Sequence, residues 1–191
     1  MSTLDARTSN PTEGGPSFSL QNRLLRAVWG VTWLLLAAWT PPPLRAWRRL
    51  LLRLFGAEVA ASAMVYGSAR IWLPSNLKLE RNSCIGPGVN VYNMAPITFG
   101  EYAIASQGVH LCAGTHDIED EHFQLKSRPI ILGKRAWVAA EAFVGPGVTI
   151  GEGAVLGARG CAFRDLEPWT VYTGNTAQPL RKRQVRFGQE S

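Results

Sequence analysis

The sequence predicts an all-β chain, a parallel β-helix of hexapeptide repeats preceded by an α-helical segment, and three observations carry that expectation. From about residue 66 apolar residues recur at every sixth position. Glycine and proline number 19 and 12 of 191 residues, which leaves little room for long helices and favours short strands joined by turns. Apolar positions at helical spacing are confined to residues 23–55.

The first elements differ sharply in composition. Residues 1–22 are polar, contain Pro11, Gly14, Gly15 and Pro16, and lack the apolar start and cleavage pattern of a secretory signal; they predict a mobile polar tail. A helical segment follows over 23–63. Leu24 to Trp39 is a 16-residue apolar run interrupted by Arg26, too short for the roughly 20 residues that span a bilayer. Pro41, Pro42 and Pro43 end it, because proline cannot continue a helix. Leu44 to Phe55 then alternates apolar residues with arginine and stops at Gly56.

Trp29, Trp33, Trp39 and Trp47 share this segment with Arg45, Arg48, Arg49 and Arg53, a combination that suits a membrane headgroup layer. On that reading the indole N–H groups meet headgroups and each arginine adds about 1 kcal/mol on an anionic surface. A helical cap packed on its own domain, or at a subunit contact, fits the same residues.

Residues 64–175 carry the repeat. Leu73, Leu79, Ile85, Val91 and Ile97 lie six apart; after a slip of two, Phe99, Ala105 and Leu111 continue; Leu132, Val138, Val144, Ile150 and Leu156 then run unbroken. The second half states the pattern as LGKRAW, VAAEAF, VGPGVT, IGEGAV and LGARGC. Each repeat supplies one short strand and one turn, whereas a sandwich would alternate with turn signals roughly every 8 to 12 residues. Leu111 and Leu132 are 21 residues apart, not a multiple of six, so a loop leaves the β-helix between them. Residues 176–191 form a basic C-terminal tail.

Charge distribution narrows the function. Residues 1–60 hold 7 basic and 3 acidic side chains, 61–177 hold 9 and 10, and 178–191 hold 4 and 1. A neutral body argues against nucleic acid as partner. Cys84, Cys112 and Cys161 are an odd number without CxxC spacing, which argues against a disulfide framework or structural zinc and suits a reducing cytoplasm. No phosphate-binding G-x-x-x-x-G-K-[ST] loop is present.

A general base would have to come from few candidates. His110, His116 and His122 are the three histidines, and neutral imidazole, with a pKa near 6.5, suits deprotonation of an alcohol. Their six-residue spacing invites a metal site, but residues six apart on a three-sided β-helix diverge by about 120° and cannot converge within a zinc–nitrogen bond of roughly 2.0–2.1 Å. No metal is expected. His116 lies at the start of the loop.

The hexapeptide run, the His116–Asp117 dipeptide after LCAGT, the block AWVAAEAFVGPGVTIGEGAVLGA and the closing PWTVYTGN together resemble the left-handed β-helix acyltransferases. Within them the chain is most similar to the colanic acid and exopolysaccharide biosynthesis O-acetyltransferases, over about residues 20–183. Two positions depart: Thr176 stands where the family's GNPA motif has proline, and Cys161, Ala162 and Phe163 replace Val-Val-Thr, which bears on local coenzyme contacts. The resemblance implies a left-handed parallel β-helix, acetyl-CoA as co-substrate and a saccharide hydroxyl as acceptor. It makes His116 the general base, with direct attack on the thioester and no acyl-enzyme. A carboxylate, Asp117 or Glu141, would orient the imidazole. Trp137 matches the tryptophan beside the active site, Ala140 and Ala158 match backbone positions along the pantetheine channel, and Arg164 and Arg181 match basic residues near the nucleotide. The resemblance also implies a homotrimer with sites between subunits.

Alternatives are the same chemistry on a small free acceptor (a monosaccharide, an amino acid or a drug) and a non-enzymatic, membrane-associated β-helix scaffold. The expected location is the cytoplasm, with peripheral membrane contact through residues 23–55.

Overall fold

The computed structural model describes residues 3–175. Strands of two or three residues wind into a parallel β-helix with three sheets. The first sheet holds strands 58–59, 77–79, 97–99, 130–132 and 149–150. The second holds 64–65, 84–85, 104–105, 137–138, 155–156 and 171–172, and the third 70–71, 90–92, 110–112, 143–144 and 161–162. Inward residues stack in register, so that Val59, Leu79, Phe99, Leu132 and Ile150 form one buried column. Val65, Ile85, Ala105, Val138 and Leu156 form a second, and Ile71, Val91, Leu111, Val144 and Ala162 a third.

The repeat begins earlier than the expected boundary at residue 64, with Glu58–Val59. It also slips once more than its apolar period suggests. Ile71 precedes Leu79 by eight residues because a 3-10 turn, Pro74–Asn76, widens the corner after the third sheet. Leu73 is buried as well, which hides the slip from a count of apolar residues. The next coil widens at the same corner, where Asn93 is fully buried, donates Nδ2 to Leu73 O at 2.6 Å and accepts from Leu73 N at 3.0 Å.

Helices α2 (Leu20–Leu36) and α3 (Arg45–Leu54) close the N-terminal end; α1 (Ala6–Ser9) precedes them. Each coil donates its N–H groups to carbonyls of the coil that follows, as Ala60 N does to Leu79 O and Tyr66 N to Ile85 O. The first coil's own outward-edge carbonyls therefore lack a preceding strand. Side chains of α2 and α3 take that strand's place. Arg53 Nε and Nη2 donate to Val59 O at 2.9 and 2.6 Å, Arg49 Nη1 to Ala63 O at 3.1 Å, and Arg48 Nε to Val65 O at 2.7 Å. Trp33 Nε1 donates to Ala69 O at 3.0 Å and Trp29 Nε1 to Ile71 O at 2.7 Å.

Of the two expected uses of these residues, the contacts match the helical cap. Trp29 and Trp33 are buried, and Arg48, Arg49 and Arg53 are spent on coil carbonyls rather than on headgroups. Trp39 and Trp47 stay exposed, yet their indole N–H groups bond Leu35 O and Leu36 O, both at 2.7 Å.

The expected tail also differs. Residues 3–18 form an antiparallel bridge, Thr3 to Phe18, around α1 and a 3-10 turn, Pro11–Glu13. Gln124, more than a hundred residues away, holds this arm by accepting from Ala6 N at 2.6 Å and donating to Leu4 O at 3.2 Å. Phe18 lies on Trp72 with ring centroids 5.0 Å apart, and the Arg26 guanidinium sits 4.4 Å from the Trp72 centroid. Helix α2 begins at Leu20 because Ser19 caps it, accepting from Asn22 N at 3.3 Å.

Candidate functional site

The loop expected after Leu111 is a β-hairpin. Gly114–His116 pairs antiparallel with Leu125–Ser127, and the chain rejoins the first sheet at Ile130. It leaves at the corner that the 3-10 turn and Asn93 widen in the two coils beneath. Met94 packs directly on Gly114, where a Cβ would stand 2.6 Å from both Sδ and Cε of its side chain.

His116 is exposed on this hairpin, and its Nδ1 lies 2.6 Å from Phe123 O. A carbonyl can only accept, so Nδ1 carries the proton and Nε2 is the basic nitrogen. Phe123 adopts a left-handed φ of 51°, uncommon for a bulky residue, while presenting this carbonyl. The group that sets the tautomer is thus a backbone oxygen, which side-chain spacing cannot reveal.

The two carboxylates proposed from sequence have other engagements. Asp117 accepts from Lys126 Nζ at 2.8 Å and from Glu119 N at 3.2 Å, which braces the hairpin's turn. Glu141 sits on a coil corner with φ 58° and accepts from Arg159 Nε at 2.6 Å. That corner carries Ala140 directly beneath Ala158, since Arg159 N donates to Ala140 O at 2.9 Å. Glu141 is therefore brought to the small-residue corner with Ala140 and Ala158. Trp137, half-exposed on the second sheet one strand before, donates Nε1 to Ser106 Oγ at 2.9 Å. Arg164 is exposed beyond the third sheet, and Arg181 lies outside the described residues.

The other two histidines meet other partners. His110 stands in the outward row of the third sheet, between Asn90 and Phe143. Asn90 Nδ2 donates to its Nε2 at 3.3 Å, Phe143 packs edge-on at 5.3 Å, and burial pushes the His110 pKa below its ordinary 6.5. His122 lies in the hairpin's turn, 3.4 Å from Glu121 Oε1. Among the described residues no group of three or more His, Cys, Asp and Glu side chains is arranged to hold a metal ion.

No family model matches the chain. It is 38% identical over 162 residues, 85% of its own length and 89% of the relative's, to a protein of Escherichia coli K12 named as the colanic acid biosynthesis acetyltransferase WcaF. A maltose O-acetyltransferase from Clostridium difficile 630 superposes with a TM-score of 0.74 at 20% identity, over 87% of this chain and 90% of that one. A hexapeptide-repeat acetyltransferase from Vibrio cholerae, solved with acetyl-coenzyme A, superposes with a TM-score of 0.72 at 22% identity, over 87% and 91%. At such identities the two solved structures establish the shared fold.

Proposed function

The chain belongs to the family of acetyltransferases that includes the colanic acid biosynthesis protein WcaF, and from that premise we propose that it transfers an acetyl group from acetyl-CoA to a saccharide hydroxyl in an exopolysaccharide or related glycan precursor. The observation that carries the reading is the hydrogen bond from His116 Nδ1 to Phe123 O, which leaves Nε2 able to take a proton. As the acceptor hydroxyl loses its proton to Nε2, its oxygen attacks the thioester carbonyl carbon. Backbone N–H groups stabilise the resulting oxyanion, the C–S bond breaks, and the imidazolium returns its proton to the departing thiolate. Acetyl and proton thus exchange between acceptor and coenzyme with no covalent enzyme intermediate.

Trp137, Ala140 and Ala158 would line the pantetheine arm, and Arg164 and Arg181 would meet the nucleotide phosphates. The small side chains stacked at the corner of residues 140 and 158 support this, because they leave backbone accessible to a long, narrow ligand.

The active form is a homotrimer with sites between subunits. Support comes from the second sheet's outward row, in which Met64, Cys84, Ile104, Trp137, Val155 and Val171 stand in register without a charge. The first sheet's row instead carries Glu58 and Lys78. A heterologous contact repeated round a threefold axis would cover the uncharged row and close. Contact between residues 23–55 and the inner face of the membrane would hold this cytoplasmic enzyme near membrane-borne acceptors; the exposed apolar side of α2 supports it.

The test is coenzyme release from acetyl-CoA, followed with a thiol reagent, in the presence and absence of saccharide acceptors. Release should require acceptor. His116→Ala should lower kcat/KM by about 10²–10⁴ with acetyl-CoA affinity little changed. Full activity in that variant would remove His116 from the mechanism.

A further inference from the structure

Resting on the reading that residues 23–55 meet a membrane, we propose that α2 lies in the plane of one leaflet with its outward side immersed in the acyl region, an apolar contact in place of an arginine-mediated one. The arginines that would grip headgroups are already used, since Arg48, Arg49 and Arg53 donate to carbonyls of the first coil. What α2 turns outward is apolar. From Ala27 to Leu44 there is no charged residue, and Val31, Leu34, Leu35 and Trp39 are exposed by 57, 65, 61 and 71%.

The width of this surface selects lipid over a protein neighbour. Trp29, Trp33 and Ala37, one helical turn apart, form the narrow stripe buried against the β-helix. The remaining roughly two-thirds of the circumference is apolar over these turns, far wider than the stripe of about 100° that packing on one further surface requires. Soluble proteins rarely leave so broad a patch to water.

The polar groups between α2 and α3 select lipid over water. At the connection between α2 and α3, Leu35 O and Leu36 O accept from the indoles of Trp39 and Trp47, and Ala37 O accepts from Thr40 Oγ1 at 2.6 Å. Arg48 Nη1 bonds Thr40 O and Pro41 O, and Nη2 bonds Pro42 O, at 3.1, 3.0 and 3.1 Å. Pro41, Pro42 and Pro43 have no N–H to satisfy. Leu35 O and Leu36 O lie at the exposed surface, where water could satisfy them without an internal donor, whereas in hydrocarbon each unsatisfied group costs several kcal/mol.

Geometry sets the depth. Helix α2 has 17 residues and is about 25 Å long, short of the roughly 30 Å core. Among the described residues no helix is long and apolar enough to cross a membrane. Arg23 and Arg45, exposed at the two ends of the apolar stretch, would reach the headgroups with α2 between them sunk about 5–10 Å.

The test uses the full chain and neutral phosphatidylcholine vesicles, sedimented in low and in high salt. We expect equal binding in both, and the double variant Val31→Glu with Leu35→Glu should lower partitioning by about a hundredfold while keeping the oligomer mass in light scattering. Binding that needs anionic lipid or is lost in high salt overturns immersion and leaves the peripheral contact standing. Absence of binding to neutral and anionic vesicles alike overturns both readings. If the double variant dissociates the oligomer, the surface belongs to a second copy and the proposal fails. If it does not fold, quenching of wild-type fluorescence by bromine-labelled acyl chains decides: a component lost in Trp39→Phe supports immersion, and no quenching refutes it.

Discussion

Replacing Arg48 by lysine tests the assignment of α2 and α3 as a substitute strand. Arg48 is buried, 2% exposed, and makes five hydrogen bonds: to Val65 O on the first coil, and to Thr40 O, Thr40 Oγ1, Pro41 O and Pro42 O on the hairpin connection. Lysine keeps the charge but offers three N–H groups at one point, so at least two of the five bonds are lost. At about 1.5–3 kcal/mol for each bond to a charged donor, the expected destabilisation is roughly 3–6 kcal/mol. That is a large part of the roughly 5–15 kcal/mol that holds a typical domain together. Urea unfolding followed by tryptophan fluorescence, at one fixed protein concentration because association shifts apparent stability, would read it. A Lys variant within about 0.5 kcal/mol of the parent would show that water or rearrangement satisfies these carbonyls equally well, and the edge-cap argument would fall.

Two further outcomes follow from single contacts. His110 has a lowered pKa because it is partly buried, so the unfolded chain binds a proton more readily; the stability it supports is full above pH 6.5 and declines as pH falls towards the lower folded value. His110→Leu should flatten that part of the stability–pH curve, and an unchanged slope would assign the acid sensitivity elsewhere. Gln124→Ala removes two side-chain bonds between residues 3–18 and the β-hairpin, at about 0.5–1.5 kcal/mol each. Amide exchange at Ala6 should accelerate while the global unfolding midpoint stays put; protection retained at Ala6 would mean that Phe18 and Arg26 hold the arm alone.

Much of this was legible in the chain because inward positions of a repeat are fixed by apolar period alone. The 21-residue gap between Leu111 and Leu132 announced a departing loop, though not its pairing as a β-hairpin, and the runs from Leu132 to Leu156 gave the coil frame. The slip at Pro74–Asn76 stayed hidden because Leu73 is apolar and six residues from Leu79 by coincidence of count, not of stacking. Trp29, Trp33, Arg48, Arg49 and Arg53 were conspicuous, but their purpose depends on which carbonyls the first coil leaves unpaired, and an edge exists only once the coils are stacked. Similarly, Phe123 O is a backbone atom aimed by one left-handed residue, and the hold of Gln124 on Ala6 joins positions 118 apart.

The same stacking explains why the candidate base sits where the repeat fails. Within a regular stretch, inward positions must be apolar and outward positions six apart diverge, so residues close in sequence do not converge on one site there. Between Leu132 and Ile150 the coil closes in 18 residues, whereas Val59 to Leu79 and Leu79 to Phe99 take 20 each and Phe99 to Leu132 takes 33. All the excess lies at one corner. Two small widenings, locked by Asn93 and Asn76, build a ledge on which Met94 meets Gly114. The hairpin carrying His116 rises from that ledge, and the arm of residues 3–18 reaches both: Phe18 rests on Trp72, which meets Tyr92, and Leu4 and Ala6 bond Gln124. The β-hairpin is thus anchored from below by departures from the period and from the side by residues 3–18, and the imidazole takes its orientation from Phe123 O on that hairpin.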